Sequence, residues 1–417
     1  MKNLYKISVY YNGWGEDWHL GDLVSNGRQT MFEYSKEALK RNIEFSPNCL
    51  PLQSQAFTDF PTFQFQLPGL FADSLPDGWG LLLMDRFFKK ELGKNPDQIN
   101  PLERLACLGD QTMGAFTYRP SSDVIMEVQE MSLADIAEQM AAVQIGQDVD
   151  VLETLVMIGG SPQGARPKSQ VYYNPITEQM SNQPIDGGEP WLVKFNAQDE
   201  DIEVCEIEKF YLDTAELCGL PVPESKVFHV NAKIAAIGTK RFDRLNGMRI
   251  PMHSLAGALH ANFRIPNCSY GIYLRMTRFM TRNEQEVEKA FKYCVFNVCM
   301  NNRDDHTKNF SYLMNQNGEW TLSPAYDLTY NPGLNGYHQM DVEGEAYKIK
   351  REHLINLAKN SGLDVKKSEA VIDAMIDVVK SRLGELSGGK YKVSKATAAM
   401  IKGKIGGNIE LLSLYNI

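Results

Sequence analysis

What this sequence lacks narrows it first. Its seven cysteines (Cys49, Cys107, Cys205, Cys218, Cys268, Cys294 and Cys299) include no C-x-x-C pair and no His/Cys pairing at zinc spacing. A zinc module is therefore excluded, and a reducing compartment, the cytoplasm, is the expected location. No run of about 18 apolar residues occurs, and no leader-like segment precedes the strand-like residues 5–10, so membrane insertion is not expected. Internal repeats and low-complexity tracts are missing, which removes solenoid and array architectures. Basic residues are in the minority, 43 Lys and Arg against 52 Asp and Glu, for a net charge of −9. That balance argues against free-standing nucleic-acid binding, which needs clustered cations, while allowing a basic partner. What is present is ordinary for a globular chain: 417 residues, 43% hydrophobic and 23% charged, enough for roughly two to three domains with cores of their own.

One stretch carries more ionisable and amide groups than folding needs: Asn301-Asn302-Arg303-Asp304-Asp305-His306-Thr307-Lys308-Asn309-Phe310-Ser311. Upstream, residues 284–300 have apolar side chains at helical spacing. Downstream, residues 310–314 and 320–322 flank Asn315-Gln316-Asn317-Gly318, a hairpin signal because Asn and Gly tolerate positive φ. The polar cluster is thus expected on a loop between a buried helix and a hairpin. Asp304 and Asn309 stand at the D-x-x-x-x-N spacing of phosphotransfer catalytic loops, where Asp orients the attacking hydroxyl and Asn holds Mg²⁺. Asp305 has the wrong spacing. Asp327, in Ser323-Pro324-Ala325-Tyr326-Asp327, supplies a second carboxylate, and Mg²⁺ needs only one or two from the protein beside substrate phosphates. The plainer alternative is an Asn/Asp-rich loop that caps a helix and a turn.

In chain order, residues 5–11, 20–24 and 31–34 read as strands, residues 67–80 lead into a helix over 81–92, and residues 105–116 read as helix end, turn and strand. Residues 121–150 form a connector in which Ser132 and Asp135 are spaced as a capping box for a helix reaching Val143. Gly159-Gly160-Ser161-Pro162-Gln163-Gly164-Ala165-Arg166-Pro167-Lys168 fails as a Walker A loop, because Ala165 follows Gly164 and a strand follows the loop. It fits either a plain surface hairpin or a Gly-rich loop between strands that lies over nucleotide phosphates. Lys194, in the apolar strand 191–195, either snorkels at an edge or points at an anion. Residues 203–218 form a helix stopped by Gly219, whose Glu206 and Glu208 either reach Lys194 or form a solvated face. Residues 227–230 and 232–239 are strands leading into Lys240-Arg241-Phe242-Asp243-Arg244. Helices are expected over 351–360 and 364–384, and the Lys-rich residues 390–404 read as a solvated helix face.

Together these motifs resemble HipA-family serine/threonine kinases, the toxin-type component of bacterial toxin–antitoxin pairs. The likeness rests on Gly160 to Lys168, Val193-Lys194-Phe195, Arg241-Phe242-Asp243-Arg244, Asp304 to Ser311 and Ala325-Tyr326-Asp327, in the family's order, and covers nearly the whole chain. It implies an α+β, bilobal protein-kinase-like fold with a β-rich N-terminal subdomain and a helical C-terminal lobe. The implied division is 1–147 (subdomain plus connector), 148–250 (small lobe) and 251–417 (helical lobe). It further implies ATP and Mg²⁺ as cofactors and Asp304 as the catalytic residue, with Lys308 and His306 beside it. His306 is expected to fix the loop by hydrogen bonding. Asn309 and Asp327 become the metal ligands; Lys194, Ser161, Gly164, Lys168, Lys240, Phe242 and Tyr326 line the nucleotide; and Ser161 is the autophosphorylated residue. Lys240 stands where the family often has an acidic residue, a departure on the adenine side. The implied partners are a HipB-like DNA-binding antitoxin, through which any DNA contact is indirect, and a protein substrate such as an aminoacyl-tRNA synthetase. A co-repressor subunit without catalysis and a small-molecule phosphotransferase are the alternative readings.

Overall fold

The structure, a computed structural model, describes residues 5–120 and 129–413. Residues 121–128, at the start of the expected connector, lie outside the described residues.

Alternation of apolar residues builds the first sheet. β1 (Lys6–Tyr11) buries Ile7, Val9 and Tyr11, and pairs antiparallel with β2 (Trp18–Ser25). A bulge at Val9/Tyr10 shifts the parity, so that Trp18, Leu20 and Leu23 all reach the core although their spacing is uneven. With β3 (Thr30–Tyr34), β4 (Ala56–Phe57) and β5 (Phe116–Arg119) the sheet order is β4-β3-β2-β1-β5. Four helices accompany it: α1 (Lys36–Arg41), α2 (Gly69–Ala72), α3 (Gly78–Leu92) and α4 (Pro101–Leu108). α4 starts where its sequence says it must, with Asn100 capping, Pro101 in the first turn and Glu103 closing a capping box. α5 (Leu133–Gln144) begins at the Ser132/Asp135 capping box.

The small lobe opens with α6 (Leu152–Gly159) and continues as a second five-stranded sheet. Its strands are β6 (Lys168–Tyr173), β7 (Met180–Ser181), β8 (Glu189–Phe195), β9 (Ser225–His229) and β10 (Ala235–Lys240), in the order β7-β6-β8-β10-β9. α7 (Glu203–Leu217) follows β8 and stops at Gly219, whose φ of 72° is the left-handed turn Gly permits. The Gly-rich segment therefore joins a helix to a strand, not two strands as expected. Leu155 to Ile158 is a short apolar run, and a buried helix and a buried strand look alike over so few residues.

A ribbon of β11 (Arg244–Leu245) and β12 (Met248–Arg249) leads into the large lobe. There β13 (Met252–Ser254), with β14 (Cys268–Ser269) downstream, is followed by the expected hairpin of β15 (Ser311–Met314) and β16 (Trp320–Leu322). β14 pairs in parallel with β17 (Met340–Asp341). The rest is helical: α8 (Leu255–Leu259), α9 (Tyr270–Thr281), α10 (Glu284–Cys299), α11 (Arg351–Asn360), α12 (Val365–Arg382) and α13 (Lys395–Ser413). α13 buries Ala398, Ile401, Ile405, Ile409 and Leu412 and leaves Lys395 and Lys404 exposed, the solvated-face reading of that Lys-rich stretch. One apolar core runs from Ile7 to Leu412, and no helix among the described residues is long and apolar enough to cross a membrane.

Candidate active site between the lobes

Two lysines face each other across adjacent strands. β8 buries Trp191, Val193 and Phe195 on one side, which turns Lys194 to the other, and the register sets Lys168 of β6 directly opposite it. Like charges at opposed positions repel, so the pair persists because carboxylates surround it. Lys194 Nζ lies 2.9 Å from Glu208 Oε1 on α7 and 2.5 Å from Asp327 Oδ1. Burial works against the Lys194 charge, yet Asp327 and Glu208 outweigh it and raise its pKa above an ordinary lysine's. Lys168 is less well served. Burial, and then the neighbouring Lys194, push its pKa down to about 8, against weaker support from Asp327 and Asp77. Its ammonium donates to the Gln163 carbonyl. Two lysines so close, one short of anionic partners, form a site that gains from a polyanion.

The groups opposite come from the loop after α10, which carries Asp304 and Asn309, and from the segment after β16, which carries Asp327. Asn309 sits in a 3₁₀ turn, Thr307–Asn309, and its Nδ2 donates to the Asp304 carbonyl at 2.7 Å. Its amide oxygen remains as the atom able to hold a cation. Asp304 keeps its carboxylate half exposed. Burial, and then the charge of Asp327 acting against the help of His306, raise its pKa. Asp305 differs in every respect. It is 1% exposed, accepts from Tyr270 Oη at 2.7 Å and Gln339 N at 2.8 Å, and pairs with His338 Nδ1 at 2.8 Å. One aspartate thus fastens the loop and its neighbour faces the crevice. Asp327 has φ 57°, a left-handed conformation that Asp tolerates better than most residues. Burial would raise its carboxyl, but Lys194 and Lys168 hold it well below the usual carboxylate range. No group of three or more His, Cys, Asp or Glu able to hold a metal exists among the described residues. Asn309 and Asp327 are the smaller donor set that suits Mg²⁺ shared with phosphates.

The other expected contacts divide. Phe242 and Tyr326 have ring centroids 5.5 Å apart, and the Tyr326 hydroxyl donates to the Lys308 carbonyl at 2.7 Å and meets Ser311 Oγ at 2.6 Å. Tyr326 therefore ties the strand after the loop back to the loop itself. Lys240, by contrast, ends β10 three positions beyond the residue paired with Lys194, and its ion partner is Glu189 at 2.7 Å on a largely open surface. The structure does not bring it to the lysine pair. His306 is a correction. The expected loop-fixing hydrogen bond of its side chain is not made: Nε2 stands 3.9 Å from Asp304, beyond hydrogen-bond length, and buried Nδ1 has no partner. Its ring packs on Phe263 instead, with centroids 5.5 Å apart, and only its backbone carbonyl fixes the loop, accepting from Asn309 N at 2.9 Å.

Ser161 and Lys168 are also placed differently from expectation. Lys168 opens β6 instead of riding on the loop. Ser161 is fully buried just past α6, where its hydroxyl donates to the Ser74 carbonyl at 3.2 Å and accepts from Met113 N at 2.9 Å. The N-terminal subdomain, whose contacts the sequence did not disclose, covers it. Glu208 was one of two open possibilities; α7 directs it to Lys194, whereas Glu206 pairs with His229 at 3.0 Å. Asp77 was missed altogether. It bonds the Gly164 amide and pairs with Lys308 at 3.0 Å. Its only sequence signal was a carboxylate between Pro76 and Gly78, which reads equally well as a turn.

This is a two-lobed, mixed α/β chain with a β-rich N-terminal region and a helical C-terminal region. Residues 9–119 match the HipA N-terminal domain and residues 160–383 the HipA-like C-terminal domain, and the chain belongs to the HipA family. "Putative kinase Y4dM" of Sinorhizobium fredii is 24% identical over 344 residues, covering 78% of this chain and 77% of that protein. The HipA of Shewanella oneidensis MR-1, solved with HipB and operator DNA, superposes with a TM-score of 0.71 at 17% identity, over 97% of this chain and 96% of that one. The Helicobacter pylori proinflammatory kinase CtkA aligns more loosely, with a TM-score of 0.40 at 14% identity over 59% of this chain and 90% of its own.

Proposed function

We propose that the chain is an ATP- and Mg²⁺-dependent protein serine/threonine kinase. The observation that carries this reading is the cross-strand pair Lys168 and Lys194, set against Asp327 with Asp304 half exposed beside it. A cation pair beside a metal-binding carboxylate and a carboxylate of raised pKa is what phosphoryl transfer requires, since its catalysis is positioning plus charge neutralisation. Lys194, held by Glu208, binds the triphosphate; Lys168 adds the second charge. Asn309 and Asp327 would hold Mg²⁺, which when bound draws negative charge from the phosphates. Asp304 accepts the proton of the acceptor hydroxyl, its raised pKa suiting it to take a proton and release it. Lys308 offsets charge on the acceptor side, and Phe242 and Tyr326 supply ring surface at the crevice.

Ser161 is the proposed autophosphorylation site. A phosphate carries about −1.5 to −2 charges and has no room in the pocket beside Ser74 and Met113, so modification requires the loop to leave and keeps it out. The partner proposed is a HipB-like DNA-binding antitoxin, since the Shewanella homologue was solved with HipB and operator DNA. The net charge of −9 agrees with DNA contact through such a partner. A cytosolic protein, such as an aminoacyl-tRNA synthetase, is the proposed substrate. Incubation of the purified protein with Mg²⁺-ATP followed by mass spectrometry tests the reading: phosphate on Ser161 is expected, and failure to bind nucleotide would overturn it.

A further inference from the structure

The Gly-rich loop does not stand free over the crevice; it lies along the segment that joins α2 to α3. Four consecutive contacts hold it there. Ser161 Oγ donates to the Ser74 carbonyl, Gln163 Nε2 donates to the Asp73 carbonyl at 3.1 Å, the Gly164 amide donates to the Asp77 carboxylate, and Trp79 N donates to the Gly164 carbonyl at 3.1 Å. The backbones touch so closely that side chains are excluded. A Cβ on Gly78, itself at φ 40°, would meet the Gly164 carbonyl oxygen at 2.7 Å, and one on Gly80 would meet the Gly159 carbonyl oxygen at 2.8 Å. The Asp77 carboxylate belongs to this seam and also reaches the catalytic loop. Its Oδ1 accepts from Gly164 while its Oδ2 pairs with Lys308 Nζ at 3.0 Å, and both side chains are largely buried. Lys308 lies over the Phe263 ring, 4.3 Å from its centroid, which confines it from the other side.

We propose that Asp77 is a positioning residue given to the phosphotransfer centre by the N-terminal subdomain, one carboxylate oxygen anchoring the Gly-rich loop and the other aiming the Lys308 ammonium at the acceptor side. The role assigned to Lys308 rests on the kinase reading; the anchoring of the loop does not. Burial works to raise the Asp77 pKa, yet Lys308 and the Gly164 amide hold it below the ordinary carboxylate range, so it is charged at neutral pH. One short side chain thus contacts both loops, and its charge is shared between them. Release of Gly164, as Ser161 must be released to be phosphorylated, leaves the Asp77 carboxylate to Lys308 alone. The subdomain thereby joins the state of the nucleotide loop to that of the acceptor side.

The full-length protein and its Asp77→Asn, Asp77→Ala, Lys308→Met and Asp77→Asn/Lys308→Met variants decide this. In Asp77→Asn the side-chain oxygen still accepts from Gly164, but an uncharged amide faces Lys308. Backbone hydrogen exchange of residues 160–166 is expected to accelerate at least about tenfold in Asp77→Ala and to stay near wild type in Asp77→Asn. With Mg²⁺-ATP, autophosphorylation of Asp77→Asn is expected to lose about tenfold in maximal rate while half-saturating ATP changes less than about threefold. The double variant is expected to be no slower than Lys308→Met alone, because both changes remove one interaction. Unchanged exchange in Asp77→Ala would overturn the anchor, and additive losses in the double variant would overturn the aiming of Lys308. Should Asp77→Ala fail to fold, the exchange of Asp77→Asn with its rate split carries the test. A wild-type protein that transfers no phosphate sinks the kinase reading, while hydrogen exchange still decides the anchor.

Discussion

Replacing Lys194 by Met removes the one cation shared by two carboxylates. The Glu208 side chain is 3% exposed and that of Asp327 35%, so the two arms do not weigh equally. Breaking a buried ion pair costs about 3–5 kcal/mol, because the remaining charge has no water to turn to. The Asp327 arm is discounted for solvent screening, and Arg166 remains 3.6 Å from Glu208, so the expected loss of stability is at the low end, about 3 kcal/mol. Changing Glu208 to Gln in the same chain removes the stranded charge. The double variant Lys194→Met/Glu208→Gln should therefore be more stable than Lys194→Met by about 1 kcal/mol or more, a coupling within the usual range for residues in contact. The assay is chemical unfolding of the wild type, both singles and the double. ATP binding separates function from folding. A charge-assisted contact contributes about 1.5–3 kcal/mol, so the Met variant should bind ATP roughly 10 to 150 times more weakly, and the second substitution should not restore it. Additive stabilities, agreeing within about 0.5 kcal/mol, would refute the shared-cation argument, and unchanged ATP affinity would refute the role of Lys194.

Asp304→Asn should lower phosphoryl transfer by about a hundredfold or more with the fold intact, whereas Asp305→Asn should chiefly lower the melting temperature, since it loosens the contacts to Tyr270, His338 and Gln339. Full transfer by Asp304→Asn would mean that the catalytic register is off by one. Lys168, with its pKa down to about 8, is charged below that pH and neutral above it. ATP affinity should accordingly fall as pH rises from 7 to 9.5, and calorimetry on Lys168→Gln should show a flatter profile; an unaltered slope would assign the titration elsewhere. Ser161→Asp should bind ATP poorly, because the carboxylate loses the buried seat against Ser74 and Met113. Equal affinity in unmodified, phosphorylated and Asp-substituted protein would refute loop ejection.

The local features were legible because they depend on local chemistry. Residues 284–300 announced α10 by apolar spacing, Asn315 to Gly318 announced the hairpin of β15 and β16, and the apolar run 191–195 announced β8, though not which way Lys194 turns. The spacing of Asp304, Asn309 and Asp327 likewise pointed to one crevice, because three oxygen-bearing groups at loop positions have few structural uses. Pairing across distance was another matter. That Lys168 opposes Lys194 follows from strand register, which the whole sheet sets and no single strand carries. The choice of Glu208 over Glu206 depends on the rotation of α7, and the choice of Asp304 over Asp305 as the exposed carboxylate depends on where Tyr270 and His338 arrive. The burial of Ser161 and the reach of Asp77 to Lys308 join segments 87 and 231 residues apart. Composition and periodicity describe how one segment meets water. Which charge meets which is decided only when separate segments are packed together, because there each buried ion has to find its partner in space and not along the chain.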